Sequence, residues 1–351
     1  MEKRRTEQAG LAGAPAGRRS GLRRSATPTD KMRNSPLCPP QPPRAPGGAR
    51  AWLVLIALSW GFNWPAVKLA LNEMPIWSMR AVGLTAGSVL LLALARASGR
   101  SLRVARRQWP ALMLAGLLNV TVFNVLTAVA QTLMPTSRAV ILAYTMPLWT
   151  ALLARIFLAE RLPPRRRVAL ALGAAGLAVV LAPLASELGT PALRGAVAAI
   201  LGAAIAWAGG TIVMKRVGFT SDPLVVTAWQ LAIGAVSVFL GAVVFEAGAL
   251  ARFAFWPTSV SGWAGLLYNC VIGIALSYFL WFGMVARLPA STAAIGVLLV
   301  PVVGVTASMA LIGEEPSLAD GLGFLLITAA VIINAQGPAA RGERAKAVGD
   351  A

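Results

Sequence analysis

The chain has 351 residues, 57% hydrophobic and 13% charged, with a mean hydropathy of +0.69, which excludes an ordinary soluble domain. Its formal net charge of +19 is concentrated in the N-terminal stretch and in particular loops, the placement of a topology signal and not of a nucleic-acid groove. Histidine is absent, and the two cysteines, Cys38 in a polar stretch and Cys270 in an apolar run, offer neither a disulfide framework nor a metal-ligand spacing.

Residues 1–50 hold eleven Lys or Arg and eight prolines, and are expected to form a disordered, basic, cytoplasmic tail. That charge suits a positive-inside anchor for the first span, with anionic lipid headgroups as the alternative partner. The apolar run from Ala51 is too long for a signal peptide, and no small-residue cleavage site closes it. Ten hydrophobic segments follow, at about 51–71, 76–97, 109–130, 134–158, 167–185, 194–216, 223–246, 261–285, 289–312 and 318–336. Loop 96–107 carries Arg96, Arg100, Arg103, Arg106 and Arg107, and loop 155–167 carries Arg155, Arg161, Arg165, Arg166 and Arg167. The alternate loops around 72–75, 186–193 and 247–260 carry only Arg252. This asymmetry predicts a multi-pass protein of the cell (inner) membrane with both termini cytoplasmic, in agreement with Arg341, Arg344 and Lys346 in the tail 337–351.

Segment 4, PTSRAVILAYTMPLWTALLARIFLAE from Pro135 to Glu160, is repeated without a gap as PASTAAIGVLLVPVVGVTASMALIGE from Pro289 to Glu314. Each copy is interrupted by a proline, so Pro147 and Pro301 leave the carbonyls of Ala143 and Val297 without their helical donors and predict bent, hinge-like turns. Paired broken helices in matching positions of two halves point to a transporter's binding site. The repeat extends further. Trp60 and Lys68 match Trp207 and Lys215, Pro75 matches Pro223, and Ala169 and Gly176 in segment 5 fall on Gly323 and Ala330 in segment 10. Five segments per half turn the second copy upside down. The expected fold is therefore all-α and integral to the membrane, ten transmembrane helices in two inverted-topology five-helix repeats at 51–185 and 194–336.

These residues resemble a known family. Trp60, Gly61 and Lys68, Arg80 early in segment 2, the Pro147 to Glu160 end of segment 4 and the Pro301 to Gly313-Glu314 end of segment 9 are similar to the drug/metabolite transporter superfamily, with EamA-type domains at about 50–182 and 194–335. The resemblance implies an exporter or facilitator of amino acids or other small metabolites. It also implies a central cavity lined mainly by segments 1, 3, 4, 6, 8 and 9.

Polar groups inside the segments fall in stripes. Trp60, Trp64 and Lys68 recur every four residues with Asn63 beside them, and Asn124, Thr127 and Gln131 share a face of segment 3. Segment 4 adds Tyr144, segment 6 adds Trp207, Thr211 and Lys215, and segment 8 adds Ser277, Tyr278 and Trp281. Cavity lining and helix packing are both open to such residues individually; as aligned stripes they suit a small polar solute with an apolar or cationic part. Small residues, Gly202, Ala206 and Gly210 on segment 6 and Ala169 with Gly173 on segment 5, are expected to let helices approach closely. Lys68, Arg80, Arg138 and Lys215 lie near helix ends, where they can snorkel or pair, Glu73 being the nearest candidate partner for Lys68 or Arg80. Alternatively they give the outer side of the cavity a positive face for a carboxylate or phosphate. Glu160 and Glu314 end their helices where the dipole disfavours an anion, so each is expected to have a basic partner.

None of the acids lies mid-segment, which argues for gradient-driven or exchange transport over coupling through a buried carboxylate. No P-loop, nucleophile with its base or catalytic carboxylate pair is found, so no enzyme activity and no cofactor are expected. The partners expected are a small-molecule substrate and the lipid bilayer, with no nucleic acid. The reading is a cytoplasmic-membrane transporter working by alternating access. A carrier of phosphorylated or nucleotide-linked sugars and a non-transporting scaffold or sensor are the alternatives.

Overall fold

The computed structural model describes residues 49–160, 162–184, 190–280 and 299–335. The expected tails at 1–48 and 337–351, the stretch 289–298 of segment 9, Arg161 and Trp281 lie outside the described residues. Among the described residues all regular structure is helical. The longer helices are α1 (Ala49–Leu71), α2 (Ile76–Ala97), α3 (Arg106–Leu133), α4 (Thr136–Phe157), α5 (Pro164–Leu181), α6 (Pro191–Val217), α7 (Pro223–Phe245), α8 (Val260–Leu280), α9 (Leu299–Ile312) and α10 (Leu318–Ala335), with a short one at Ala247–Ala251. Seven of them, α1 to α4 and α6 to α8, are long and apolar enough to cross a membrane. Within the described residues α9 and α10 are shorter apolar helices, and α5 opens on Arg165, Arg166 and Arg167.

Local chemistry sets the helix limits. Pro164, Pro191 and Pro223 stand in first turns, where a missing N–H costs nothing. The Asp222 carboxylate accepts from the Leu224 N–H at 2.9 Å to start α7, and Gly218, at φ 58°, ends α6 in a conformation that a side chain would resist.

Three helices are irregular inside, and two more carry a proline. The turn expected in α4 is present: Tyr144, at φ −73° and ψ 9°, ends one helical stretch, and Pro147 sits in the first turn of the next. Pro301 is buried in α9, while Val297, whose carbonyl it would leave free, lies outside the described residues. Pro65 stands inside α1. Wide π-helical turns at Leu117–Val122 in α3 and Asn269–Leu276 in α8 have no proline to announce them.

The packing repeats between halves. α2 lies on α7, α5 on α10, α1 against α8 and α9, and α6 against α3 and α4. Small residues set the α5–α10 approach: a Cβ on Gly176 would stand 3.0 Å from the Gly323 carbonyl oxygen, and one on Gly173 3.5 Å from the Ala330 methyl. Two glycines separate α6 and α1 from their neighbours in a crossed manner. Gly210 of α6 accepts the Asn119 side chain of α3, whereas on α1 it is Asn63 that packs onto Gly273 of α8.

Carboxylates tie one end of this bundle together, here termed the capped end. Glu246, just past α7, accepts from the N–H groups of Trp77 at 2.9 Å and Ser78 at 2.7 Å at the start of α2. Arg100, just past α2, pairs at 2.5 Å with Asp222 at the start of α7, so the two helices run antiparallel. Glu314, past α9, likewise accepts from Thr136 N–H at 2.5 Å and Ser137 N–H at 2.7 Å at the start of α4. Glu73, past α1, accepts from the Thr258 and Ser259 N–H groups and hydroxyls at the start of α8. These bonds, those from Ser259 foremost, hold the Glu73 carboxyl down at about 2. Two expectations are thereby corrected. Glu73 is bound to α8 and not to Lys68 or Arg80, and Glu314 finds its positive partner in the unsatisfied amides of a helix N-terminus, not in a basic side chain. Arg138 closes the same end by a two-pronged contact with Asp320 of α10, at 2.8 and 2.9 Å.

Candidate functional site

A cavity of about 600 Å³ runs between the halves, lined chiefly by α1, α3, α4, α6 and α8. The structure brings most of the expected lining together in it: Trp60, Asn63 and Trp64; Arg80; Asn124 and Thr127; Tyr144 and Pro147; Trp207 and Thr211; and Tyr278. Lys68 is not in the wall. Its ammonium donates to the Gln131 carbonyl at 2.6 Å, near the C-terminus of α3, where helix carbonyls attract a cation. Pro301 is also outside the wall, and Trp281 lies beyond the described residues.

Two aromatic pairs face the space, each joining the first helix of one half to the third of the other. Trp60 meets Tyr278 edge-on at 6.0 Å, and Trp207 meets Phe123 at 4.8 Å. Asn269 enters from the wide turn of α8 and donates to Asn63 Oδ1 at 2.9 Å. Phe123, Thr150, Arg166, Asn269 and Asn334 were not expected in the wall. Phe123 adjoins Asn124 and could have been found by the stripe on its helix, but nothing in the sequence marks the turn that aims Asn269.

The two ends of the cavity differ. Toward the capped end Gln131 and Arg80 are 1% and 5% exposed. Arg80 does not snorkel: its Nη2 donates to the Thr127 hydroxyl at 3.3 Å, Thr127 donates on to the Asn124 carbonyl at 3.0 Å, and among the described residues Nε has no partner. At the other end Glu160 is held by Lys215 and by Arg166, the latter at 3.3 Å, as expected of a carboxylate at a helix C-terminus. The Lys215 hydrogen bond, opposed by partial burial and seconded by Arg166, holds the Glu160 pKa below the usual carboxylate range. The Lys215 side chain is 59% exposed, so the cavity is accessible there. No group of three or more metal-ligating side chains occurs among the described residues.

A duplicated bundle with a polar space at its centre is the expected build of a carrier, and the comparison of sequences decides which kind. Residues 49–182 and 194–336 each match the EamA-like transporter family. The chain belongs to that family. This EamA-like protein is 29% identical over 305 residues to the uncharacterized transporter YvbV of Bacillus subtilis (strain 168), covering 85% of this chain and 94% of the relative. It is 27% identical over 290 residues to a "Probable amino-acid metabolite efflux pump" of Salmonella typhimurium (strain LT2), covering 81% of this chain and 93% of the relative. A solved crystal structure superimposes with a TM-score of 0.58 at 22% identity, over 82% of this chain and 95% of the other, a likeness of fold alone.

Proposed function

We propose that this EamA-like protein exports a small metabolite such as an amino acid across the cytoplasmic membrane by alternating access, through ten membrane helices in two inverted five-helix repeats. One observation carries the reading: a polar and aromatic cavity between the halves, shut at the capped end and accessible at the end where Lys215 and Glu160 lie. Its volume suits a single small solute. The antiparallel ties of α2 to α7 and of α4 to α9 support the inverted relation, because matched helices of a duplicated pair run oppositely. The accessible end carries the arginine-rich loops and so belongs to the cytoplasm, which makes the structure an inward-open state of a protein with both tails inside. The name of the Salmonella relative supports both the substrate class and the outward direction. A scaffold or sensor requires these polar stripes packed together, whereas here they bound a space.

The test is counterflow of radiolabelled amino acids in proteoliposomes, with metabolite release from cells with and without the protein. Saturable exchange, reduced at least about tenfold in folded Trp60→Ala and Asn124→Ala, is expected. Exchange by neither the wild type nor any vesicle orientation, across the amino acids, removes the reading. Unchanged exchange in both variants removes the lining assignment.

A further inference from the structure

The deep end of the cavity holds three polar atoms that the protein leaves unused. Among the described residues, Arg80 Nε, Gln131 Oε1 and Asn269 Oδ1 are buried without a hydrogen-bond partner, in residues 5%, 1% and 1% exposed. All three residues line the same cavity. Arg80 bonds Thr127, one helical turn before Gln131 on α3, and Asn269 Oδ1 lies against Gly83, one turn after Arg80 on α2, where a Cβ would approach it to 2.5 Å. Among the described residues no carboxylate pairs with Arg80, although the acids at the same end are bound to helix N-termini or to Arg138.

A buried guanidinium without a counter-ion and buried amide oxygens without donors each cost free energy, and the group that would satisfy them is the same one. We propose that this cluster binds the head group of the transported solute, with Arg80 donating to its carboxylate and Gln131 Oε1 and Asn269 Oδ1 accepting from its amine. The site thus takes an α-amino carboxylate, its side chain lying toward Trp60 and Tyr278. A phosphate ester is a poorer fit, because a dianion asks for several cations, and Lys215 and Arg166 are engaged with Glu160 at the far end. The assignment rests on the transporter reading but has its own readout.

Binding to the purified full-length protein in nanodiscs is measured by calorimetry for L-phenylalanine, its amide, 3-phenylpropionate and 2-phenylethyl phosphate. These share a body and differ in the head. Wild-type protein is expected to bind L-phenylalanine about tenfold more tightly than its amide and about fivefold more tightly than 3-phenylpropionate. Arg80→Gln abolishes the first ratio and keeps the second, Arg80→Lys restores part of the first, and Gln131→Leu abolishes only the second. A purely structural role would move all affinities together. Equal wild-type affinities for acid and amide, tighter binding of the phosphate, or no saturable binding of L-phenylalanine up to about 10 mM overturns the assignment, whatever the variants do. Counterflow that persists with indifference to head group leaves the transporter reading standing and this one fallen. Head-group selectivity without counterflow does the reverse.

Discussion

Glu314 and Glu160 close matching stretches of the two halves, yet the structure uses them differently. Glu314 is bound to the backbone amides that open α4 and helps to shut the capped end. Glu160 stands in the cavity wall at the accessible end, held by the side chains of Lys215 and Arg166. A carboxylate on helix amides is held by rigid donors, whereas Glu160 is held by long side chains, the exposed Lys215 among them, that can let go. The duplicated residue thus has a fixed form at one end of the bundle and a releasable form at the other. This is the asymmetry that a protein closed on one side requires.

The contrast breaks most readily at Asp320. Asp320→Asn weakens the two-pronged contact with the partly buried Arg138 and is expected to cost about 2–3 kcal/mol, read as a fall in thermal midpoint in detergent. A loss no larger than that of an exposed pair would mean that the capped end is not the rigid one. Glu314→Gln comes next, at about 2 kcal/mol, together with faster labelling of Ser137→Cys by a membrane-impermeant maleimide added from outside. Unchanged labelling would separate the Glu314 contact from closure. Glu160→Gln is expected to change stability by about 1 kcal/mol, because Lys215 is 59% exposed and Glu160 itself is partly open to solvent. It should nevertheless alter the exchange rate in proteoliposomes. A large stability loss there would erase the contrast.

The smallest effect concerns acid. The Glu73 carboxyl is lowered to about 2 in the folded protein, so its contribution is complete above the unfolded value of about 4.3 and is lost as pH falls from there toward 2. Glu73→Gln should lower the midpoint near neutrality, and the deficit should shrink toward zero as pH falls below about 4, so the variant's midpoint is flatter against pH in that range. Glu160, also lowered, acts in the same direction, and a double variant separates the two.

The hydropathy pattern made the helices legible, and PTSRAVILAYTMP with its copy made the duplication legible, because both are properties of residues in order. Which helix end meets which carboxylate is not such a property: Glu73 has Lys68 close by in the sequence, but its donors, Thr258 and Ser259, are far along the chain. Lys68 left the cavity for a geometric reason. A four-residue step overshoots the helical turn by about 40°, so two steps carry Lys68 well round from Trp60, and Pro65 disturbs the helix between them. Arg80 was read as able to reach water, because the sequence shows its nearness to a helix end and not the α3 wall that covers it. The Tyr144 turn was foreseeable from Pro147, whereas the wide turns of α3 and α8 were not.

The crossed packing of Asn119 on Gly210 and of Asn63 on Gly273 bears on ancestry. Asn63 and Gly210 stand three residues past the matched tryptophans, so the two seams exchange which partner is bulky. Assembling two copies of the first half would set asparagine against asparagine at both seams, and two copies of the second would leave paired voids. The two halves are therefore complementary at these seams, and a dimer of either half alone would lose the asparagine-on-glycine fit.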